Sequence, residues 1–206
     1  MSLFSHQPVL LDEVVTALQP KAHGRYLDGT LGGGGHAAAI LGASSPDGFL
    51  IGCDRDPAAL SAAQERLGTF AGRFETHHCD FKDADRWVAP GSLDGIVLDL
   101  GVSSHQLDTP GRGFSFQSDG PLDMRMDPSS GDPTAADLVN GLPAGTLADL
   151  FWKWGEERQS RRIARAIAEE RRQRPFTTTR QLADFIERIC PRRGSPTHPA
   201  TRCFQA

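Results

Sequence analysis

The feature that most constrains the fold of this chain is a glycine loop over residues 28–36, which reads D-G-T-L-G-G-G-G-H. A short predicted strand, Arg25 to Asp28, leads into it, and an alanine-rich predicted helix, His36 to Leu41, follows it. Glycines let backbone N–H groups approach a ligand closely because no side chain stands in the way. A strand, glycine loop and helix in this order are typical of a nucleotide-cofactor site in an α/β fold.

The neighbouring segments alternate between helix and strand patterns. Helices are predicted over Gln7–Leu18 and Pro57–Leu67, and Phe49–Cys53 is an apolar run suited to a strand buried on both faces. Two more strands are predicted over Phe74–Cys79 and Gly95–Leu100. Four strands separated by helical segments predict a doubly wound, Rossmann-like α/β sheet.

After Val102 the pattern changes. Residues 103–133 are rich in Ser, Gly, Pro and Asp and show no periodicity, whereas the chain from Thr134 onward shows helical spacing. The predicted helices cover Ala135–Val139, Leu147–Trp154, Gln159–Arg172 and Thr178–Cys190, the last with Thr178 or Thr179 as its cap. We therefore predict a core over 1–102, an irregular lid with an inserted helical subdomain over 103–197, and a return towards the core over 198–206. A fourth strand with an open apolar edge also predicts that further C-terminal strands are missing and that the sequence is a fragment.

Composition adds bounds on location and partners. The 206 residues are 38% hydrophobic, the formal net charge is −4, and residues 153–193 hold twelve Lys and Arg against six Asp and Glu. This basic region is either a nucleic-acid footprint or a solvated helix face. No signal sequence or membrane span is seen, so we expect a cytoplasmic protein, and the four scattered cysteines indicate neither a metal site nor disulfides.

Three interpretations of the glycine loop stay open at this point: a dinucleotide site, an S-adenosylmethionine site, or a structural turn. Gly32, Gly34 and Ala37 satisfy G-x-G-x-x-A, which is a weak match. Asp28 before the loop favours S-adenosylmethionine, because a carboxylate complements an ammonium and a sulfonium and would repel a pyrophosphate. No Lys follows the glycines as a P-loop requires.

The ends of the later strands supply further candidates. Asp54 lies where the ribose hydroxyls of a cofactor should fall, although it could instead cap the next helix. Phe81 is expected either to pack on an adenine ring, with Asp80 accepting from the adenine amine, or to belong to the core. His36 could contact the cofactor or simply cap its helix.

Asp99 and Leu100 end the fourth predicted strand, beside the first strand at the topological switch point. An aromatic amine is a poor nucleophile. The Asp99 carboxylate and the Leu100 carbonyl could accept hydrogen bonds from the two N–H groups of such an amine and orient its lone pair for in-line methyl transfer. The alternative is that Asp99 only caps a loop.

Four motifs together resemble the bacterial RsmH (MraW) family. They are G-F-S-F at 113–116, D-G-P-L-D-M-R-M-D at 119–127, D-L-G-V-S-S at 99–104 and H-P-A-T-R at 198–202. The resemblance implies S-adenosylmethionine-dependent methylation of the N4 amine of a cytosine in the decoding region of 16S ribosomal RNA, within the small subunit. It also implies a helical substrate-recognition insertion and the absence here of roughly the last third of the protein.

By the same resemblance, the cofactor-contacting positions are Gly34, Gly35, His36, Asp54, Phe81, Asp99 and Gln106, with Asp28 in the same motif. Two other functions stay open: an amine methyltransferase acting on another nucleic acid or a small molecule, and a fragment that binds cofactor or RNA without turnover. The sequence also leaves the oligomeric state open, with a homodimer as one candidate.

Overall fold

The structure of the protein is a computed structural model that describes residues 8–192, 194 and 196–206. Gln7, where the first helix was predicted to begin, and Arg193 of the basic region lie outside the described residues. The chain divides into two compact units, with the boundary between Ser103 and Ser104. Within the described part, no helix is both long and apolar enough to cross a membrane.

The first unit is built on a four-stranded parallel sheet in the order β3-β2-β1-β4. The strands are β1 (Arg25–Asp28), β2 (Phe49–Asp54), β3 (Phe74–His78) and β4 (Gly95–Val97). The predicted α/β sheet is confirmed, including the position of β4 beside β1. Because the chain order reverses between β1 and β4, the switch point lies at the carboxyl end of β1.

Three helices flank this sheet: α1 (Leu11–Leu18), α2 (Gly35–Ala43) and α3 (Pro57–Leu67). Side chains alternate across the sheet, so Tyr26 and Leu50 are buried with Ile40 of α2 and Leu67 of α3 in one cluster. Their neighbours Leu27 and Ile51 belong to a second cluster with Cys53 and Ala84. Burial on both faces explains why β2 is apolar at nearly every position.

The fourth strand is shorter than predicted. Ladder pairing with β1 stops at Val97, whereas the apolar run continues to Leu100. The reason lies in the glycine loop: Gly29 N donates to Val97 O at 3.0 Å, and the next available amide, Asp99 N, donates to the side chain of Thr30 at 2.7 Å. A side-chain acceptor therefore takes the place of the next ladder bond, and Leu98 and Leu100 are left exposed.

The second unit is helical. After the short α4 (Ser104–Asp108) come α5 (Ala135–Gly141), α6 (Ala144–Lys153), α7 (Ser160–Glu170), α8 (Thr179–Ile189) and α9 (Thr201–Gln205). Thr134 and Thr178 accept hydrogen bonds from the third residue of α5 and α8, which confirms Thr178 as the cap of α8. Ile163, Ile167 and Ile186 are fully buried in the core of this unit.

The segment 103–133 is not wholly irregular, because it contains α4 and a 3₁₀ turn at Pro110–Arg112. Elsewhere the backbone is held by side chains. The Arg112 guanidinium donates to the carbonyl oxygens of Arg125 and Met126 at 3.0 and 2.8 Å, and Arg125 pairs with Asp123 at 2.7 Å. Local side-chain bonds of this kind leave no periodicity in the sequence.

The last helix, α9, belongs to the second unit, where Ala200 and Cys203 are buried in its core. The return of residues 198–206 towards the first unit stays a prediction.

Candidate active site

Three carboxylates lie at the carboxyl ends of three adjacent parallel strands. Asp28 and Asp54 are the last residues of β1 and β2, and Asp99 follows β4 by two residues. Because β1 pairs with both β2 and β4, the three side chains come to one edge of the sheet. This is the edge at which open α/β sheets bind ligands.

The glycine loop is fixed to the neighbouring strands by its own amides. Leu31 N donates to Cys53 O at 3.0 Å, and Gly32 N donates to Asp54 Oδ2 at 2.7 Å. Gly32 and Gly34 both have left-handed backbones, with φ of 51° and 74°. A Cβ at Gly34 would also lie 3.2 Å from Ala63 of α3, so glycine there permits close packing of the loop against that helix.

Asp54 braces the loop and does not cap the next helix. Its Oδ2 accepts from Gly32, its Oδ1 accepts from Asp56 N at 2.9 Å, and the cap of α3 is Asp56, which accepts from Ala58 N at 3.0 Å. The capping alternative for Asp54 is therefore wrong. Each carboxylate oxygen has a second lone pair, so the half-buried Asp54 retains acceptors for ligand hydroxyls.

Asp28 is the most unusual group in the site. Its side chain is only 1% exposed, Oδ1 accepts from Thr30 N at 3.1 Å, and Oδ2 has no hydrogen-bond partner within the described residues. Burial raises the pKa of the Asp28 carboxyl to about 7, the bond from Thr30 opposes that rise, and the charges of Asp54 and Asp99 add to it. A buried acceptor without a donor suits a cationic ligand.

The 3₁₀ turn after β3 presents Phe81 and Asp80. Phe81 is 40% exposed, which excludes the interpretation that it is an ordinary core residue. It stands beside the glycine loop, since a Cβ at Gly29 would lie 3.0 Å from Phe81 Cβ. Asp80 accepts from Lys82 N at 3.0 Å, and this bond is the main cause that lowers the pKa of its carboxyl.

Phe81 also lines an apolar pocket of about 570 Å³, together with Leu27, Val88, Leu93, Ile96 and Leu98. None of the other predicted site residues lines this pocket. Leu27 belongs to the cluster on one face of the sheet, so the pocket lies against that face. We do not identify it with the cofactor site.

Asp99 and Leu100 are both exposed, and Leu100 reaches 69%. The backbone of Asp99 is fixed by its bond to Thr30, while its carboxylate is accessible to a ligand. The exposed carboxylate of Asp99 thus lies near the switch point, and the role of the Leu100 carbonyl group stays a prediction.

His36 and Gln106 have partners that the sequence did not indicate. His36 does not cap α2; its Nε2 lies 3.1 Å from Val9 O, in the segment before α1. Gln106 lies on α4 in the second unit, is 5% exposed, and donates from Nε2 to Met126 Sδ at 3.4 Å. Cofactor contacts for both stay predictions.

Sequence reasoning missed Thr30, which joins two strand ends. Its N–H donates to Asp28 and its hydroxyl accepts from Asp99 N, so it sets the spacing between these two candidates. The available signal was an Asp two residues before a Thr, the pattern of a turn closed by an Asp side chain.

A parallel sheet with a glycine loop and three carboxylates at the switch point defines a class, the α/β proteins that bind a nucleotide cofactor. The model of the MraW methylase family matches residues 3–206. The chain therefore belongs to the MraW methylase family, whose members are methyltransferases.

The relatives agree with this assignment. The chain is 53% identical to the ribosomal RNA small subunit methyltransferase H of Trichlorobacter lovleyi, over all of this chain and 67% of that protein. It is 51% identical to the protein of the same name from Xanthomonas oryzae pv. oryzae, over 98% of this chain and 59% of that protein. The chain thus spans about two thirds or less of the length of these relatives.

Among solved structures, an rRNA methylase from Streptococcus thermophilus aligns with a TM-score of 0.34 and 20% identity, over 42% of this chain and 51% of that chain. An alignment this weak supports no conclusion about the fold.

Proposed function

We propose that this chain carries the S-adenosylmethionine site of an enzyme that methylates the N4 amine of a cytosine in the decoding region of 16S ribosomal RNA. The observation that carries the proposal is the convergence of Asp28, Asp54 and Asp99 at one sheet edge around the glycine loop. The substrate class is supported by the relatives, whose names specify ribosomal RNA of the small subunit. The choice of cytosine N4 rests on the resemblance of residues 113–127 to the family motif.

The residues present fit this cofactor. S-adenosylmethionine supplies a methyl group on a sulfonium centre, and the unpartnered oxygen of Asp28 provides a buried acceptor for positive charge. Asp54 holds the loop while keeping lone pairs for the ribose hydroxyls. Gly34, Gly35 and His36 would line the loop side of the site, and Phe81 would complete it.

In this proposal the Asp99 carboxylate and the Leu100 carbonyl group accept hydrogen bonds from the two N–H groups of the target amine. Both residues are exposed, and the bond from Asp99 N to Thr30 fixes the backbone at Asp99. These hydrogen bonds orient the nitrogen lone pair towards the methyl group and raise its electron density, which lowers the barrier. The amine proton becomes acidic as the N–C bond forms and the S–C bond breaks, so it can pass to Asp99 or solvent without a strong general base.

The second unit offers surface features suited to RNA. Trp152 and Trp154 are 60% and 61% exposed, and the Lys153 ammonium lies 4.8 Å from the ring centroid of Trp154. Exposed aromatic rings beside cations provide stacking platforms for unpaired bases. A cytosine must be flipped out of its helix or be single-stranded before its N4 amine can react, and exposed rings could hold such an unpaired base. Because the proposed substrate is the small ribosomal subunit, we also propose a cytoplasmic location.

The test is methyl transfer from radiolabelled S-adenosylmethionine to small subunits that lack the modification, with the product located by nuclease digestion and mass spectrometry. We expect label on the N4 of one cytosine. Asp99→Asn should lower the rate by about 10²-fold, because one acceptor of the target amine is weakened. Its affinity for the cofactor should change less than about threefold.

A matched control is Asp94→Asn, since Asp94 precedes β4 at the opposite end of the strand and binds Lys21 and Arg25 N. Its rate should stay near that of the unchanged chain. Transfer to free nucleosides but not to small subunits would contradict the ribosomal substrate. Intact cofactor binding without any transfer would contradict catalysis by this chain.

A further inference from the structure

The environment of Asp28 also indicates how its protonation responds to a cationic ligand, an inference that rests on the proposed function. Its carboxyl is 1% exposed, and only one of its two oxygens has a donor, the amide of Thr30. Burying an ionised carboxylate with only one hydrogen-bond donor costs much more free energy than burying the neutral acid.

The surroundings of Asp28 on both neighbouring strands are acidic. The ionisable groups that face it are the carboxyls of Asp54 at the end of β2 and Asp99 after β4, and it acts in turn on the thiol of Cys53. Burial raises the pKa of that thiol to about 12, so it contributes no negative charge of its own near neutral pH. Among the described residues, none of the groups that act on Asp28 is cationic, so a ligand is the expected source of the positive charge that would favour its ionised form.

We propose that, at mildly acidic pH, Asp28 is a neutral carboxylic acid in the cofactor-free protein and releases its proton to solvent when the cationic cofactor enters. The same residue thereby distinguishes S-adenosylmethionine from its demethylated product. The two molecules share an ammonium, a carboxylate and an adenosine, but only the substrate carries the sulfonium charge. Loss of that charge on methyl transfer favours return of the proton to Asp28 and weakens the hold on the product.

The sign of the pH dependence follows from proton linkage. Burial raises the pKa of Asp28 to about 7 in the free protein, and a bound cation lowers it. Affinity for S-adenosylmethionine should therefore rise with pH up to about 7 and level off above it, with binding about tenfold weaker at pH 6 than at pH 8. The affinity for S-adenosylhomocysteine should change less than about threefold over the same pH range.

Isothermal titration calorimetry in buffers of different ionisation enthalpy measures both affinity and proton release. We expect about one proton released per S-adenosylmethionine at pH 6, and distinctly fewer for S-adenosylhomocysteine. Asp28→Asn should bind with little pH dependence. The control Asp54→Asn should bind more weakly at every pH yet keep most of the proton release, since burial, the main cause of the raised pKa of Asp28, is unchanged.

A carbon-13 NMR titration of labelled aspartate carboxyls in the cofactor-free protein provides a measurement that needs no variant and no activity. Titration of Asp28 near pH 7 supports the proposal, and titration at about 4, the ordinary value, overturns it. Equal pH dependence for both ligands, or its persistence in Asp28→Asn, overturns it as well. If neither ligand binds at any pH, the proposed function fails too, whereas pH-independent binding overturns only the role of Asp28.

Discussion

At the scale of single residues, the site depends on side chains that hold backbone in place as well as on groups that meet a ligand. Asp54 is the clearest example, because its two oxygens accept from Gly32 N and Asp56 N. It therefore connects the glycine loop, the end of β2 and the beginning of α3. A ribose hydroxyl bound to Asp54 would be positioned by the same carboxylate that sets the loop conformation.

We predict that Asp54→Ala weakens S-adenosylmethionine binding by ~1–3 kcal/mol, because the hydroxyls lose a charged acceptor. Calorimetry at pH 8, where Asp28 has already lost its proton in the free protein, keeps this measurement separate from the proton effect. Glu65→Gln, on the exposed face of α3, is the matched control and should leave the affinity unchanged. Unaltered affinity in Asp54→Ala would remove Asp54 from the site.

At the scale of elements, α7 shows how a strongly charged helix is held in the second unit. Ile163, Ala164 and Ile167 are fully buried along one side, while Arg161 and Arg165 are exposed on the other. The apolar stripe packs with α6 and α8 in a core that includes Leu147. The basic excess of this region is thus displayed to solvent by a helix whose position is fixed by apolar contacts.

We predict that Ile163→Ala lowers the free energy of unfolding of the second unit by about 2–5 kcal/mol, since it leaves a cavity in a fully buried position. Arg165→Ala, two residues along the same helix, should change it by less than about 0.5 kcal/mol.

Denaturant unfolding followed by tryptophan fluorescence measures this effect. A Trp87→Phe background makes the signal report on Trp152 and Trp154, which both lie in the second unit. Comparable losses for the two substitutions would contradict the packing described for α7.

At the scale of the whole molecule, the two units have separate cores. Among the described residues, the buried cluster of the second unit lies between Leu122 and Cys203, and both clusters of the first unit lie before residue 100. A group of residues that buries its own apolar surface has the main requirement for folding alone. The motif segment 113–127 contributes to this, because Leu122 is 2% exposed within the helical core.

We therefore predict that a fragment of residues 104–206 folds by itself, with a cooperative thermal transition and dispersed amide signals in NMR. A shorter fragment of residues 135–206 lacks Leu122 and the backbone bridge between Pro121 and Thr178, so it should melt at a lower temperature. A fragment 104–206 without a cooperative transition would show that this unit requires the first one.

Much of the first unit was predictable because its signals are local. Apolar runs, the Pro at the start of α3 and the glycine loop act within a few residues, so β1 and α3 were predicted with the bounds that the structure gives. The ends of β3 and β4 were predicted too far along the chain. At β4 the ladder is interrupted by Thr30, a residue almost seventy positions earlier, and no local pattern reports such a contact.

The sequence by itself determined the order of strands and helices, the glycine loop, the carboxylates at the strand ends and the family, because each is written in residue type and spacing. Only the tertiary structure decided that Asp56 and not Asp54 caps α3, that Phe81 is exposed, and that His36 binds Val9. The environment of Asp28 belongs to this second group. Its burial and its single donor depend on strands β2 and β4 closing around β1, and desolvation is a property of that assembled neighbourhood.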